Sequence, residues 1–181
     1  MIILVGASAS GKTEIAKILT RKYGIVKAIT HTTRDMREGE KNGVDYFFVS
    51  KDEFASLAKQ NAFVETTFYN GNYYGCSKSQ VNDDKAVIVD PNGLKEFLKL
   101  NDPRVIAFYI EADEKTRYQR MLSRGDSMQN ALKRIENDKK DFNPKNVGFT
   151  HYIIINEDNT LEEAADIVYR KYLGSLNNLK R

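Results

Sequence analysis

Residues 1–13 read Met1-Ile2-Ile3-Leu4-Val5-Gly6-Ala7-Ser8-Ala9-Ser10-Gly11-Lys12-Thr13. The first five are apolar and three of them are β-branched, a composition that predicts a buried β-strand. The next eight fit G-x-x-x-x-G-K-[ST], a phosphate-binding loop whose backbone N–H groups point at one anion. Apolar residues then keep helical spacing to about residue 23, so a helix dipole would add to the site. A glycine- and serine-rich turn that fits by chance is the alternative, but the flanking strand and helix favour the phosphate loop.

The composition is typical of a compact soluble protein and argues against several classes of function. The 181 residues are 41% hydrophobic and 29% charged, and the formal net charge is +3. This charge is too small to indicate a nucleic-acid partner, although it suits a protein that handles small anions. A single cysteine, Cys76, excludes an internal disulfide, and no zinc-ligand spacing occurs. No apolar run approaches the ~20 residues of a membrane span, and the first strand meets Gly6 too early for a signal peptide, so we expect a cytoplasmic location.

Strand-like and helix-like segments alternate along most of the chain. Strands are predicted at residues 1–5, 25–30, 86–90, 105–110 and 152–155. Helices are predicted at 13–23, after residues 91–93 through 100, at 113–123, and, after a break at 124–126, to about 141. A last helix begins at 160, where Thr160 and Glu163 form a capping box. This alternation predicts an α/β fold, with a parallel sheet covered by helices on both faces. Ligands of such sheets bind at the carboxyl ends of the strands.

A smaller, mostly β segment interrupts the alternation between about residues 31 and 79. Residues 32–40 have no apolar period and are expected to form a loop, whereas 44–49, 63–69 and 72–74 are β-prone. Ser50 and Glu53 form a capping box at the start of a helix that extends to about residue 60. Asn70-Gly71 is a strong hairpin signal between the last two strands.

Three further motifs make the whole chain resemble the guanylate kinase family, P-loop enzymes that move a phosphoryl group from ATP to GMP. They are Thr32-Thr33-Arg34-x-x-Arg37-x-Gly39-Glu40-x-x-Gly43-x-Asp45-Tyr46-x-Phe48, then Gly71-Asn72-Tyr73-Tyr74-Gly75, then Arg120-x-x-x-Arg124-Gly125. The resemblance implies a P-loop nucleoside-monophosphate kinase fold. Its parallel-sheet core would comprise residues 1–30 and 80–181, its GMP-binding insertion residues 31–79, and its helical lid about residues 113–140 within the core.

The resemblance also implies a reaction, a cofactor and a set of site residues. ATP and GMP (or dGMP) would give ADP and GDP (or dGDP) with Mg²⁺, and the partners would be these small molecules only, with neither nucleic acid nor membrane, in a monomer or homodimer. The implied ATP-binding residues are Gly6, Ala7, Ser8, Ala9, Ser10, Gly11, Lys12, Thr13 and Asn156, with Asp158 also placed near adenine. The implied GMP-binding residues are Thr30, Arg34, Arg37, Tyr46, Glu65, Tyr74, Cys76 and Asp90. The implied catalytic residues are Lys12 and the lid arginines (Arg120, Arg124 and Arg134), and Thr13 is the implied metal ligand.

The chemistry of phosphoryl transfer accounts for these residue types without the family name. A monophosphate acceptor near neutral pH is largely a dianion and already a nucleophile, so no general base is required. The obstacle is to hold two polyanions in line, which calls for Lys12, for arginine forks and for phenolic donors. By the resemblance, Glu65 accepts the guanine N1–H and exocyclic NH₂ groups, whereas the acceptor at N1 of adenine would face its lone pairs. The alternatives are a solvated loop for Arg34 and Arg37, hairpin contacts for the two tyrosines, an exposed strand position for Glu65 and a solvated helix face for the lid arginines.

The chain departs from the family pattern at several positions. Cys76 stands where the family commonly has a serine, and a thiol is a weaker donor, so a small buried side chain is the alternative reading. Ile88 replaces the first aspartate of a D-x-D pair, which leaves Asp90 to bind Mg²⁺ through water, to approach the guanine, or simply to cap a strand end. Glu14 follows Thr13 and should repel phosphate unless it turns away or pairs with a lysine. Ala7 stands where many members have proline, which should matter less.

Two other functions are compatible with the sequence. One is a guanylate-kinase-like binding module that has lost catalysis, against which Lys12 and the lid arginines argue. The other is a kinase for a different phosphorylated acceptor, such as a ribose bisphosphate, against which Glu65 and the tyrosine pair argue. His31 and His151 have no partner spacing and are expected to be structural.

Overall fold

The computed structural model describes residues 1–69, 71–157 and 161–179. Its strands are β1 (Ile2–Val5), β2 (Val26–Lys27), β3 (His31–Thr32), β4 (Phe47–Phe48), β5 (Phe63–Tyr69), β6 (Asn72–Ser77), β7 (Lys85–Ile88), β8 (Ile106–Glu111) and β9 (Tyr152–Ile155). Its helices are α1 (Lys12–Tyr23), α2 (Lys51–Lys59), α3 (Pro91–Leu98), α4 (Glu114–Ser123), α5 (Met128–Asp141), α6 (Pro144–Val147) and α7 (Leu161–Asn178), with a 3₁₀ turn at Lys78–Gln80. The hairpin residue Asn70 and the capping residue Thr160 lie outside the described residues.

A five-stranded parallel sheet in the order β2-β7-β1-β8-β9 forms the centre of the molecule. Alternate side chains of β1 point to opposite faces, as the pleat of a strand requires. Ile2 and Leu4 are buried against α1 and α7, whereas Ile3 and Val5 are buried on the α3 side with Leu94. The predicted α/β fold, with a parallel sheet and helices on both faces, is therefore confirmed.

The phosphate loop (residues 6–13) leaves the carboxyl end of β1 and returns directly into α1. Gly6 has φ +151° and Gly11 has φ +105°, conformations that side chains rarely adopt. Both glycines are also closely approached: a Cβ on Gly6 would lie 2.3 Å from the Ile110 carbonyl oxygen. A Cβ on Gly11 would lie 2.3 Å from Asn156 Nδ2. The loop is therefore fitted against β8 and against the chain after β9.

Replacing Gly6 by alanine should destabilise the protein by roughly 3 kcal/mol, because backbone strain and a clash with backbone atoms act together. Gly24→Ala is the matched control, since Gly24 has φ +69° but nothing within 4 Å of an added Cβ. That variant should lose only about 1 kcal/mol from strain alone. Urea unfolding of both variants measures the difference, and equal losses would contradict the close contact.

A second, four-stranded sheet in the order β4-β3-β6-β5 lies within residues 31–79, the segment that we refer to as the insertion. β5 and β6 pair as an antiparallel hairpin, and Phe63 of β5 stacks on Phe54 of α2 with ring centroids 4.5 Å apart. The predicted capping box of α2 is confirmed. The Ser50 hydroxyl accepts a hydrogen bond from Glu53 N at 3.1 Å, and the Glu53 carboxylate accepts one from Ser50 N at 2.7 Å.

Two strands are shorter than predicted, and one helix was not predicted. Only Val26–Lys27 of residues 25–30 pairs in the central sheet, because the Thr30 carbonyl already accepts from Phe47 N in the insertion. Only Phe47–Phe48 of residues 44–49 forms a strand. The unpredicted α6 begins after Asn143, whose side chain caps it, with Pro144 in the first turn. This cap-and-proline pair is a helix-start signal that the sequence contained.

Helices α4 and α5 pack against each other and against the phosphate loop. Met121, Ala131 and Ile135 form a small buried cluster with Ala9 of the loop.

Among the described residues, no helix has both the length and the apolar character needed to cross a bilayer.

Candidate active site

Lys12 begins α1 and folds back over the phosphate loop. Its Nζ donates to the carbonyl oxygens of Gly6 at 2.6 Å and Ala7 at 2.7 Å. Burial lowers the pKa of Lys12 to about 8, and Asp138 opposes this shift while Arg117 adds to it. The predicted phosphate-binding lysine therefore lies at the centre of its loop. Thr13 follows it on the first turn of α1, with an exposed side chain.

Two residues that sequence reasoning missed lie against the same loop. Asp138 of α5 accepts hydrogen bonds from the backbone N–H of Ser8 at 2.9 Å and from the Ser8 hydroxyl at 3.0 Å. Arg117 of α4 donates to Asp138 at 2.7 Å, and both residues are buried. No local motif marks either residue, because only the crossing of two helices brings them to the loop.

Asn156 contacts the backbone of the phosphate loop through its side chain. Its side chain is fully buried, and Nδ2 donates to the Ser10 carbonyl at 2.7 Å. Within the described part of the chain, its Oδ1 has no hydrogen-bond partner. The adenine contact expected of Asn156 stays a prediction, and Asp158 lies outside the described residues.

The three lid arginines occupy different environments. Arg120 donates to the Asn156 carbonyl at 2.9 Å and, at 3.4 Å, to that of Ala9. Arg134 forms an exposed ion pair with Asp126 at 3.0 Å, and Arg124 is exposed at the end of α4. The charges of Arg124 and Arg134 both lower the pKa of Lys12, and the helices α4 and α5 contact the loop at Ala9. Arg120 is thus engaged with the loop backbone, whereas Arg124 and Arg134 are exposed to solvent beside it.

The insertion brings Arg34, Tyr46 and Tyr74 together. The Arg34 guanidinium lies 5.6 Å from the Tyr46 ring centroid, and the two tyrosine rings lie 6.1 Å apart. Arg34 donates to both Glu40 oxygens at 2.8 and 3.0 Å, and this bond raises the pKa of Arg34 and lowers that of Glu40. Glu40 also accepts from the backbone N–H of Arg37, whose side chain is exposed. Sequence reasoning quoted Glu40 within a motif but missed its part in orienting Arg34.

A cavity of about 200 Å³ lies between this cluster and the central sheet. Its lining includes five of the residues predicted to bind GMP: Thr30, Tyr46, Glu65, Tyr74 and Asp90. Burial raises the pKa of Glu65 to about 7, opposed by a hydrogen bond of 3.1 Å from Cys76 N. The Asp90 charge adds to the increase. We refer to this space as the acceptor cavity.

The family that the site residues indicate is also the family of known proteins that are similar to this chain in sequence and structure. The guanylate kinase family model matches residues 1–172. The chain belongs to the guanylate kinase family. A guanylate kinase of Anaplasma phagocytophilum is 31% identical over 176 residues, covering 92% of this chain and 82% of that protein. A crystal structure of guanylate kinase from Anaplasma phagocytophilum matches with a TM-score of 0.60 at 26% identity, over 96% of this chain and 85% of that one.

A shorter match is closer in sequence. A guanylate kinase of Neisseria gonorrhoeae is 48% identical over 83 residues, or 45% of this chain. The matched stretch spans 40% of the length of the Neisseria protein, which is less than two thirds.

The departures from the guanylate kinase family pattern have local structural consequences. Cys76 is fully buried in the core, and burial raises the pKa of its thiol to about 12. Its contact with a nucleotide stays a prediction, since the thiol lies among core residues and the N–H is bonded to Glu65. Ile88 lines the acceptor cavity where the family has a carboxylate, and Asp90 accepts from Gly93 N at 2.7 Å as the N-cap of α3. The strand-end cap foreseen for Asp90 is thus present, and its side chain also borders the cavity.

Three smaller expectations concern residues around the candidate site. Glu14 pairs with Lys17 at 3.0 Å, which is the lysine pairing foreseen for this carboxylate. His151 Nδ1 accepts from Ala107 N at 3.0 Å, and the His31 ring lies against those of Phe47 and Phe63. Both histidines therefore have structural surroundings, as expected.

Proposed function

We propose that this protein transfers the γ-phosphoryl group of Mg²⁺-ATP to GMP or dGMP, giving ADP and GDP or dGDP. One observation supports the proposal above all others. β1 and β7 are neighbours in the sheet, with Leu4 opposite Ile88. The phosphate loop follows β1, and the acceptor cavity borders the end of β7. Donor and acceptor sites are therefore adjacent at the carboxyl edge of a parallel sheet, as direct transfer between two bound phosphates requires.

On the donor side, the phosphate loop would hold the ATP phosphates. The loop amides and the amino end of α1 offer partial positive charge, and the Lys12 ammonium would move from its loop carbonyls to the β- and γ-phosphates. Thr13 would ligate Mg²⁺, which withdraws charge from the transferring phosphoryl group when it is bound. The described residues contain no group of three or more His, Cys, Asp or Glu suited to a metal. A single protein ligand such as Thr13 fits Mg²⁺, which proteins bind through one or two side chains together with substrate phosphates and water.

On the acceptor side, the cluster around Arg34 would hold the GMP phosphate. Arg34 is already oriented by Glu40, and Tyr46 and Tyr74 present phenolic groups beside it. The exposed Arg37 would complete the set of donors. An arginine fork matches phosphate oxygens in geometry as well as charge, and the acceptor dianion needs no further base.

Glu65 would select guanine inside the acceptor cavity. When it is ionised, its carboxylate can accept hydrogen bonds but cannot donate one. Guanine presents two donors, N1–H and NH₂, on one edge. Thr30, Cys76 and Asp90 are the other residues proposed near the base. Adenine would place a lone pair against the carboxylate and leave a buried acceptor unsatisfied, which costs about 1–3 kcal/mol.

The lid arginines would neutralise charge that develops on the transferring phosphoryl group. Arginines in that position accelerate comparable reactions by roughly 10³–10⁵-fold. The division into a core (1–30 and 80–181), a GMP-binding insertion (31–79) and a lid (about 113–140) is part of the proposal. So are a cytoplasmic location, partners restricted to the small-molecule substrates, and a monomeric or homodimeric state.

A panel of acceptors tests the proposed reaction. The full chain is assayed with Mg²⁺-ATP and, in turn, GMP, dGMP, AMP, CMP and UMP, with ADP formation as the readout. We expect kcat/KM for GMP to exceed that for AMP by about 5–160-fold, the equivalent of the mismatch of about 1–3 kcal/mol at Glu65. Comparable rates with all acceptors would contradict base selection by Glu65. ATP and GMP binding without turnover would instead identify a binding module, and turnover of another phosphorylated acceptor a related kinase.

A further inference from the structure

A buried ion pair joins the two helices that carry the lid arginines. Arg117 of α4 and Asp138 of α5 meet at 2.7 Å, and only 8% of each side chain is exposed. The carboxylate would be costly to bury alone, and the arginine compensates its charge. Within the described part of the chain, Arg117 Nε has no hydrogen-bond partner, so this arrangement is not optimised for stability alone.

The ion pair joins the two helices and also binds Ser8 of the phosphate loop. Asp138 Oδ2 accepts from Ser8 N at 2.9 Å and Oδ1 from the Ser8 hydroxyl at 3.0 Å. Arg117 Nη1 donates to the Ser8 carbonyl at 3.4 Å. All three polar groups of Ser8 are therefore engaged by the ion pair. The next residue, Ala9, is buried against Met121 and its apolar neighbours from the same helices.

Each member of the ion pair lies one helical turn from a lid arginine. Arg117 lies three residues before Arg120, and Asp138 lies four residues after Arg134, so each is one helical turn from a lid arginine. A contact that holds Ser8 between Arg117 and Asp138 therefore ties the phosphate loop to the same stretches of helix that carry Arg120 and Arg134.

Stability alone does not account for such a pair, since buried ion pairs can often be replaced by apolar side chains at little cost. We propose that Arg117 and Asp138 are positioning residues for the ATP phosphate site, which act through Ser8 to hold the phosphate loop in register with the lid arginines. The inference rests on the proposed transfer from ATP to GMP. It concerns the donor site only.

The test is a double variant that removes both charges together, Arg117→Leu with Asp138→Ala, so that no buried charge is left unpaired. We expect a folded protein in which KM and Kd for Mg²⁺-ATP rise at least about tenfold, since small misplacements of a binding group have effects of this size or larger. KM for GMP should stay within about twofold of its original value, because the acceptor cavity is untouched. Calorimetry with Mg²⁺-ATP alone gives Kd without any acceptor, so an error in the assigned acceptor leaves this result intact.

A second ion pair between the same helices is the matched control. Lys139 and Glu114 meet at 2.9 Å with both side chains more than half exposed, at 59% and 52%. Neither residue is among the hydrogen-bond partners of the phosphate loop described above. Lys139→Ala with Glu114→Ala should therefore leave KM for both substrates unchanged. If the two double variants behave alike, or if KM for ATP and GMP rise together after removal of the buried pair, the positioning role is wrong.

A second buried variant covers the case in which the apolar replacement does not fold. Arg117→Gln with Asp138→Asn keeps the shape of the site, and an amide oxygen at position 138 can still accept from Ser8 N. We expect ATP affinity within about threefold of the unmodified protein, because the bond to Ser8 persists although the charges are gone. Loss of ATP affinity in this variant as large as that expected for the apolar pair would overturn the role of the Ser8 contact.

Discussion

Replacing Lys12 by alanine is expected to reduce kcat/KM at least about 10³-fold while the protein stays folded. Among the described residues, the ammonium donates only to loop carbonyls and a serine hydroxyl, at 2.6, 2.7 and 3.4 Å. These carbonyls can be left to water when the side chain is shortened, so the loss of stability should be small. The charge, in contrast, is not readily replaced by Arg120, whose guanidinium is engaged with the backbone carbonyls of Ala9 and Asn156.

Lys22→Ala provides the control for this experiment. Lys22 lies in the last turn of the same helix, away from the loop, and pairs with Asp166 at the surface at 2.6 Å. Its removal should leave turnover unchanged, because exposed ion pairs contribute little. Steady-state assays with Mg²⁺-ATP and GMP, together with thermal unfolding of both variants, separate catalysis from stability. Near-normal turnover of folded Lys12→Ala would mean that the loop does not act on phosphate as proposed.

Much of this architecture could be predicted from sequence because the relevant signals are local. The phosphate loop is a contiguous motif, and β1 and α1 on either side of it follow from apolar spacing. The same holds for the capping box at Ser50, which needs only four residues of chain. Where neighbouring residues decide a structure, a single sequence contains the necessary information.

The parts that escaped prediction depend on contacts between distant segments. Asp138 reaches Ser8 across 130 positions of sequence, and only the crossing of α4 and α5 brings Arg117 beside them. In the sequence alone, both residues look like ordinary charged positions on polar helices. Likewise, the shortening of the strand expected at 25–30 depends on Thr30 pairing with Phe47 in the other sheet. Tertiary geometry, not local propensity, decides such features.

Glu65→Gln should raise KM for GMP by about 10–100-fold and leave KM for ATP nearly unchanged. The amide keeps one acceptor oxygen but places an NH₂ donor where guanine presents a second donor. Glu38→Gln, an exposed glutamate of the same insertion, is the control and should change neither constant. An equal increase in KM for both nucleotides would remove Glu65 from base recognition.

The buried position of Glu65 also predicts a pH dependence that distinguishes it from the phosphate contacts. Burial raises its pKa to about 7, from a usual value of 4.5, so the carboxylate is only half ionised near neutral pH. Guanine requires the ionised form, so GMP should bind about tenfold more tightly at pH 8 than at pH 6 through this group. Glu65→Gln should lose that dependence and keep only the ionisation of the GMP phosphate itself, with a pKa of about 6.

The same shift acts on folding with the opposite sign. Between about pH 4.5 and 7 the unfolded chain gives up this proton while the folded protein retains it, so stability without nucleotide falls as pH rises. The destabilisation is complete above pH 7, and Glu65→Gln removes it. The variant should therefore gain thermal stability relative to the original protein between pH 5 and pH 8, while its affinity for GMP declines. Thermal unfolding and GMP calorimetry at the two extremes test this exchange, and parallel changes in both quantities would show that Glu65 is not the titrating group.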